Sequence, residues 1–411
     1  SLELGGAGPL AADNGEHILV GAYTECLRLM RCVGVDPEQA LLRRPLALRH
    51  ADGTGLRLPR WPAPLDALAG IATARGWTPG ERAALLARAV RWRRQGFACH
   101  AALTVATLCD GLPPRLMAEF IEPLCVSALN LPAARASASV FLRVLRDALF
   151  AGTGGSHFLV PRQSLGALFP EPAVRWLRER GHGVHCASRV LALHSNGPQW
   201  TLRTSAAEAD ETPGYDAVIL ACPPWEAARL ALSAGEDERL AAHDAIALAD
   251  WAALAQGLEH TAIATVYARS TEPGQRLAPD LPWLALRSGP GRPAQFVFDR
   301  GHLSGSALDQ GLMAFVVSDC REECAPLQAQ VLAQAAHELG WHGLRPVRTI
   351  VEKRATFACT PALLRPGMEL APGLFACGDH VAGPYPATLE GAVRSALAAA
   401  RAAMTMADSS V

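Results

Sequence analysis

The stretch from Gly373 to Ala400, GLFACGDHVAGPYPATLEGAVRSALAAA, limits the fold more than any other part of the chain. It opens with a short apolar run of strand length and reaches Gly378-Asp379 at the carboxyl end. A Gly/Pro loop follows, and an Ala-rich helix begins near Thr388. A strand that hands over to a helix in this way belongs in an open α/β sheet, where ligands settle beyond the carboxyl ends of the strands. The helix start offers N–H groups with no intrahelical acceptor and a partial positive charge, which suits an electron-rich group. Gly378 lets the backbone come close to a ligand, and Asp379 can accept hydrogen bonds from sugar-like hydroxyls. The same letters also describe an ordinary helix capped by Thr388 or the loop before it. Physics alone leaves both readings open.

The rest of the chain has two textures. Residues Asn14 to Gly34 read as a turn at Asn14-Gly15 followed by a helix that ends near Gly34, and Pro-rich punctuation follows. From Leu65 to Leu149 the pattern is helical, broken at Pro79, Pro113-Pro114, Pro123 and Pro132. After the Gly152–Gly155 loop come short apolar runs at 158–160, 183–185, 189–193, 200–203 and 217–221, with a helix at 173–180. Helical spacing returns from Ala231 to Glu259. Strand-like runs then occupy 261–268, 283–287, 294–298 and 313–318, with a helix at 327–339. This alternation predicts a discontinuous α/β domain made of 1–35, 157–232 and 346–411. It also predicts a second, substrate-binding domain made of a helical insertion, 36–156, and a mixed sheet, 233–345.

Composition excludes several classes. A chain of 411 residues that is 50% hydrophobic can bury a sizeable core. A formal net charge of -1, from 38 basic and 39 acidic residues, argues against a nucleic-acid partner. The eleven cysteines include no CxxC pair, and Cys320 with Cys324 has no further ligands nearby, so no metal site is expected and the thiols read as reduced. No segment has the length of a spanning helix, and Ser1 to Ala12 lacks the pattern of a signal peptide. The expected location is cytoplasmic. The Thr78–Phe97 stretch, with Arg82, Arg88, Arg91, Arg93 and Arg94 beside Leu85, Leu86, Ala89 and Trp92, is also a candidate for peripheral contact with the inner face of the membrane.

The motif GDxxxxxxPATLEGAVRSA resembles the C-terminal FAD signature of the amine-oxidase and phytoene-desaturase flavoproteins. Four further stretches resemble the squalene-associated, hydroxysqualene dehydroxylase branch: DNGEHILVGAYTECLRLMR from Asp13, EPLCVSALNLPAARASASVFLRVLRDALF from Glu122, FLVPRQSLGALFPEPAVRWLRERG from Phe158, and EKRATFACTP from Glu352. The resemblance implies FAD as cofactor and an amine-oxidase-like fold. It sets Asn14 and Gly15 beside the flavin ring and the backbone of Val190 against the adenine. Cys222 and Pro223 fall on the pyrophosphate side, Gly378 and Asp379 on the ribityl chain, and Ala387, Thr388 and Leu389 at the pyrimidine edge. The implied reaction is reductive dehydroxylation of hydroxysqualene to squalene, an apolar isoprenoid substrate. Lys353 and Asn130 are candidates for the acid that helps the hydroxyl depart. A carotenoid-type desaturase and a non-catalytic paralogue are the alternatives. An amine oxidase fits less well, because those enzymes carry a caging aromatic where this chain has Thr388.

One departure from the family pattern stands at the front. Gly6-Ala7-Gly8-Pro9-Leu10-Ala11 has the letters of a dinucleotide fingerprint, but no strand of 4–8 residues precedes it, and Pro9 and Asp13-Asn14-Gly15 forbid the helix that should follow. Leu4-Gly5-Gly6 matches instead the family's later GGR segment, with Ala7 in place of the arginine. The expectation is of a chain that begins one βαβ unit late, with an N-terminally incomplete flavin domain.

Overall fold

The computed structural model describes residues 2–4, 10–150, 152, 154–206, 213–270, 272 and 274–409. Gly5 to Pro9, the centre of the fingerprint-like letters, lie outside the described residues. The chain forms two compact units, one of 1–173 with 260–362, the other of 174–259 with 363–411.

The first unit is built on a five-stranded antiparallel sheet. Its order is Trp283–Ala285, Phe296–Asp299, Leu312–Ser318, His260–Arg269, Arg345–Phe357. Side chains alternate across such a sheet with a period of two. Ala264, Val266, Met313, Phe315 and Val317 therefore share one face, and pack there with Leu327, Val331 and Ala335 of the helix Cys324–Leu339. Every ladder of this sheet except the long outer one matches a run expected from sequence. Arg345–Phe357 does not read as a strand, because Arg345, Arg348, Glu352, Lys353 and Arg354 erase the alternation, and its register slips twice against His260–Arg269. A strand paired along one side only tolerates both charge and bulges.

Phe158–Pro161 pairs antiparallel with Leu19–Val20 and Leu41–Arg44, which holds 157–173 in this unit. The ladder of Arg345–Phe357 likewise holds 346–362 here, so the units exchange chain at 173, 259 and 362.

The helical insertion contains Leu65–Ala72, Pro79–Arg94, Glu122–Leu129 and Ala138–Phe150. The second of these starts at a full capping box between Thr78 and Glu81 and ends at Arg94. Its basic side chains have work inside the unit. Arg82 donates to the carbonyls of Ala72 and Ala74, and Arg88 to those of Leu108 and Asp110, while Leu85 and Trp92 are buried. Two of the five arginines thus terminate neighbouring backbone, and the helix has no single basic face set against an apolar one. Among the described residues no helix is long and apolar enough to cross a membrane.

The second unit is the α/β part. Val218–Leu220 runs parallel to Leu374–Ala376, and Glu369–Ala371 closes the sheet in the antiparallel sense. Leu374 and Ala376 face a core formed with Ala227, Ala228, Ala231, Leu248 and Ala252 of the helices Pro224–Gly235 and Ala242–Gln256. Phe375 and Cys377 face the other way, against Ala396 and Ala399 of the helix Leu389–Ser409. Helices on both faces explain why these strands are short and apolar throughout. The hairpin Val190–Asn196 with Gln199–Thr204 joins the first core through Leu193 and Trp200. The strand expected at 183–185 does not form: these residues pair in no ladder among the described residues.

Candidate functional site

The parallel pair ends at Leu220 and Ala376, and the N–H of Cys377 reaches the carbonyl of Leu220 at 2.9 Å, carrying the pairing one step further. Cys222-Pro223 and Gly378-Asp379 therefore leave the sheet at the same edge. Pro223 is the N-cap of Pro224–Gly235, so one strand-to-helix turn lies beside another. Two helix starts near the carboxyl edge of a parallel sheet are the usual frame for phosphate and ribose groups. Burial pushes the thiols of both Cys222 and Cys377 up, which keeps them as inert apolar lining.

The Gly378 turn is locked from the helix. Ser395 Oγ accepts from the Gly378 N–H at 2.9 Å and lies 2.9 Å from the Gly378 carbonyl. No side chain fits at Gly378, because a Cβ would stand 2.6 Å from the His380 ring. Among the described residues the carboxylate of Asp379 meets only His380 Nδ1, at 3.9 Å. His380 is itself buried, in a T-shaped contact with Trp251, and its Nε2 has no hydrogen-bond partner among the described residues.

Between Asp379 and the helix, the loop is tied at several points. The Ala387 N–H donates to the Asp379 carbonyl at 3.3 Å, and Arg365 donates to the carbonyls of Val381 and Gly383. Ala387 holds a left-handed backbone, φ 54°, which is strained for a residue with a side chain. Thr388 Oγ1 donates to the Tyr385 carbonyl at 2.9 Å and accepts from the Gly391 N–H at 3.0 Å. Gly391 is required by crowding, since a Cβ would fall 1.9 Å from the Tyr385 carbonyl oxygen. Glu390, fully buried, pairs with Arg394 at 2.8 Å, and Arg394 lies over the Tyr385 ring.

Val190 sits at the start of its hairpin, where its carbonyl accepts from Arg229 Nη2 at 3.0 Å and that of Leu191 from Nη1 at 2.6 Å. Glu226 holds Arg229 from the other side, at 3.0 Å. Its carboxyl is held below the usual range by that bond. A purine facing Val190 would find this carbonyl engaged and its hydrogen-bonding capacity shared with a guanidinium.

The remaining sequence candidates lie in the first unit. Asn14 is exposed and donates to Glu352 at 3.3 Å, and Gly15 is buried beside it. Asn130 ends the helix Glu122–Leu129 in a left-handed conformation. Its amide donates to Thr261 and Thr356, at 2.7 and 3.2 Å, and its oxygen accepts from the Asp319 N–H at 2.7 Å. With both ends engaged, Asn130 has no proton left to give a departing group. Lys353 is exposed and stands in the register slip opposite Ala262. Ser395, Arg365, Arg229 and Gly391 were not singled out from sequence; the LEGAVRSA motif contains two of them, but only the fold shows what they touch.

A cradle with no room for a side chain, a carboxylate left free for hydroxyls and two adjacent helix starts fit a flavin dinucleotide on the second unit. A family model described as flavin containing amine oxidoreductase matches residues 4–404. The chain belongs to this family. The family is one of flavin-containing proteins, and FAD is its cofactor. It is 30% identical over 282 residues to a hydroxysqualene dehydroxylase of Rhodopseudomonas palustris, covering 67% of this chain and 60% of that protein. It is 28% identical over 300 residues to the hydroxysqualene dehydroxylase of Sinorhizobium fredii, covering 72% and 64%. The chain thus spans less than two thirds of these relatives' length. Among solved structures, cyclohexylamine oxidase from Brevibacterium oxydans matches 99% of this chain and 90% of its own, with a TM-score of 0.63 and 14% identity. A putative protoporphyrinogen oxidase from Exiguobacterium matches 96% and 87%, with a TM-score of 0.60 and 15% identity. At these identities the likeness speaks for the fold, amine-oxidase-like and α/β, in agreement with the sequence.

Proposed function

We propose that the protein removes the hydroxyl group of hydroxysqualene reductively, giving squalene. The observation that carries this reading is the 30% identity over 282 residues to a protein of that name. The site chemistry supports it. Gly378 admits the ribityl chain, Asp379 accepts from its hydroxyls, and the Cys222-Pro223 turn approaches the pyrophosphate. Ala387, Thr388 and Leu389 face the pyrimidine edge, with the helix start favouring negative charge there. Val190 receives the adenine through its backbone, and Asn14 and Gly15 lie beside the ring. Thr388, spent on Tyr385 and Gly391, offers no aromatic wall for an amine.

When bound, reduced FAD supplies hydride: the carbon–oxygen bond breaks, a carbon–hydrogen bond forms, and hydroxide leaves as water after taking one proton. The protein's part is to hold the cofactor and keep water from the developing cation. Of the two sequence candidates for the proton donor, Lys353 remains, as the amide of Asn130 is fully engaged. A hydrocarbon of this size resides in lipid, so the reading includes peripheral contact with the inner face of the membrane from the cytoplasm.

The test is anaerobic turnover with chemically reduced FAD. Hydroxysqualene should yield squalene matched one for one by flavin reoxidation, with deuterium at flavin N5 appearing in the product. Phytoene and simple amines should be untouched. Desaturation of phytoene with oxidised flavin, and no squalene, would replace this reading with the carotenoid-type one.

A further inference from the structure

The short helix Leu65–Ala72 of the first unit has its polarity reversed. Its one carboxylate, Asp66, is buried, where it accepts from the Ser156 hydroxyl and from the Ala67 N–H, each at 2.8 Å. Ala67, Gly70 and Ile71 are buried with it, whereas Leu65 and Leu68 stand 55% and 41% exposed. Just before the helix, Trp61 is 55% exposed. Its loop is stiff, since Pro59, Pro62 and Pro64 limit the backbone and the Leu65 N–H donates to the Pro62 carbonyl at 2.9 Å. Trp61 is thereby held out toward water. Single exposed hydrophobes are ordinary, but three large ones on one short stretch make a face that water solvates poorly.

Arginines gather beside this stretch, and little answers their charge. Arg60 directly precedes Trp61 and is exposed, as are Arg57 and Arg162. The pKa of Arg44 is lowered, by burial first, then by Arg60 and Arg162, with Arg57 adding to them, so the four guanidinium groups lie within range of one another. Asp280 is the carboxylate that faces them, and its contact with Arg57 is loose, 3.7 Å between two exposed side chains. Among the described residues Arg60 and Arg162 pair with no carboxylate. Like charges set this close repel one another until a counter-charge arrives.

The surface of an anionic bilayer answers all of these features together. It offers hydrocarbon to the leucines, an amphipathic layer to the indole and phosphate oxygens to the guanidinium groups. A second copy docked on this face by two-fold symmetry would instead set arginine against arginine. The helix Pro79–Arg94 is a weaker candidate, since its Arg82 and Arg88 are spent on backbone carbonyls.

We propose that Trp61, Leu65 and Leu68, with Arg57, Arg60 and Arg162, form the surface by which the first unit docks on a membrane of anionic phospholipid. This gives the membrane contact of the proposed function a place on the chain, and it rests on that reading for the substrate carried in the lipid.

The test is co-sedimentation of the whole protein with vesicles of phosphatidylcholine, alone or mixed with phosphatidylglycerol. The unsubstituted protein should bind the mixed vesicles, less so as salt is raised, and leave the neutral ones. Trp61→Ser with Leu65→Gln and Leu68→Gln should lower the partition coefficient about tenfold or more. Arg60→Gln with Arg162→Gln should lower it about fivefold for each charge removed. Both sets should keep the urea midpoint, and Arg91→Gln with Arg94→Gln, on the other helix, should bind as the unsubstituted protein does. Turnover of hydroxysqualene in detergent micelles should be unchanged by the surface variants, while turnover of hydroxysqualene embedded in mixed vesicles should fall with binding. No binding to mixed vesicles, or equal binding by the surface variants, would overturn the docking surface. So would a dimer of the free protein that the leucine replacements dissolve. Vesicle binding that the surface variants lose, without squalene formed in detergent, would overturn the proposed function and leave the docking surface standing.

Discussion

Ser395→Ala tests whether the cofactor turn is held from the helix. Ser395 Oγ lies 2.9 Å from the Gly378 N–H, the Gly378 carbonyl and the Ala392 carbonyl. A hydroxyl has one proton, so it accepts from the N–H and donates to only one carbonyl at a time. Alanine removes both bonds. The Ala392 carbonyl lies within the helix and keeps its ladder partner, so the loss falls on Gly378. A typical bond contributes about 1 kcal/mol net, and a donor left unpaired costs about 1–3 kcal/mol when water is excluded. Gly378 is only half-buried, which puts the sum near ~2 kcal/mol, and alanine returns about 0.5 kcal/mol of helix propensity. The expected net change is about 1.5 kcal/mol. Urea unfolding of the apoprotein, followed through Trp200 and Trp251, should register it in the second unit. If Gly378 must adopt its native turn to receive the ribityl chain, the FAD dissociation constant should also rise about tenfold, since ~1.4 kcal/mol is one decade. A lowered urea midpoint with unchanged FAD affinity would show that Ser395 serves packing alone. No change in either would refute the hydrogen-bonded lock.

Three further outcomes are expected. Asp379→Ala should weaken FAD by roughly 1.5–3 kcal/mol, about one to two decades, with little change in unfolding, because among the described residues its carboxylate meets only His380, at 3.9 Å; isothermal titration checks this. Asn130→Ala should destabilise the first unit by about 2–4 kcal/mol, removing the amide's bonds to Thr261 and Thr356, leaving the Asp319 N–H without Asn130, and putting alanine at a left-handed position, while turnover per bound flavin stays near normal at temperatures where the variant is folded. Asp237, held down to about 2 by its bonds to Arg239 and by the Ser195 N–H, gives stability that is full above the ordinary aspartate pKa near ~3.9 and is lost as pH falls through about 2. Because Arg239 is half-exposed the effect should be about 1–2 kcal/mol, and acid unfolding of Asp237→Asn should lack it.

The elements that could be read from sequence are those whose burial imposes a period. Leu312–Ser318 and the 264–268 part of His260–Arg269 read as apolar runs because they are buried nearly throughout, one face meeting the helix Cys324–Leu339. Leu374–Ala376 is apolar throughout because helices cover both of its faces. The helix Leu389–Ser409 follows a Gly/Pro loop that cannot continue a strand. Where burial is one-sided and pairing incomplete, the signal fails. Arg345–Phe357, the longest strand described, has five charged residues and two register slips and carries no readable alternation. The 183–185 run errs in the other direction, apolar enough to suggest a strand but without a ladder partner.

The site was legible to the extent that its chemistry is local in the chain. Gly378, Asp379 and Thr388 stand within eleven residues of one another, so a single motif exposes them, and the structure adds only that Cys222 and Pro223 leave the sheet at the same edge. The contacts that fix the turn at Asn14–Glu16 are not local. Glu16 and Arg300 are separated by 284 positions and Asn14 and Glu352 by 338, and no periodicity or spacing joins such pairs before the chain is folded. Lys353 is an instructive middle case. It is the only lysine among the chain's 38 basic side chains, the rest being arginine, a bias plain in the sequence. It stands in the register slip next to Glu352, which holds Asn14. An ammonium group can release a proton far more readily than a guanidinium, which stays charged at any working pH. Among the chain's lysine and arginine side chains, Lys353 alone is suited to give the departing hydroxyl a proton. Lys353→Arg, which keeps the charge and removes that capacity, should then lower kcat at least tenfold with little change in FAD affinity, whereas a purely electrostatic role would leave kcat nearly as it was.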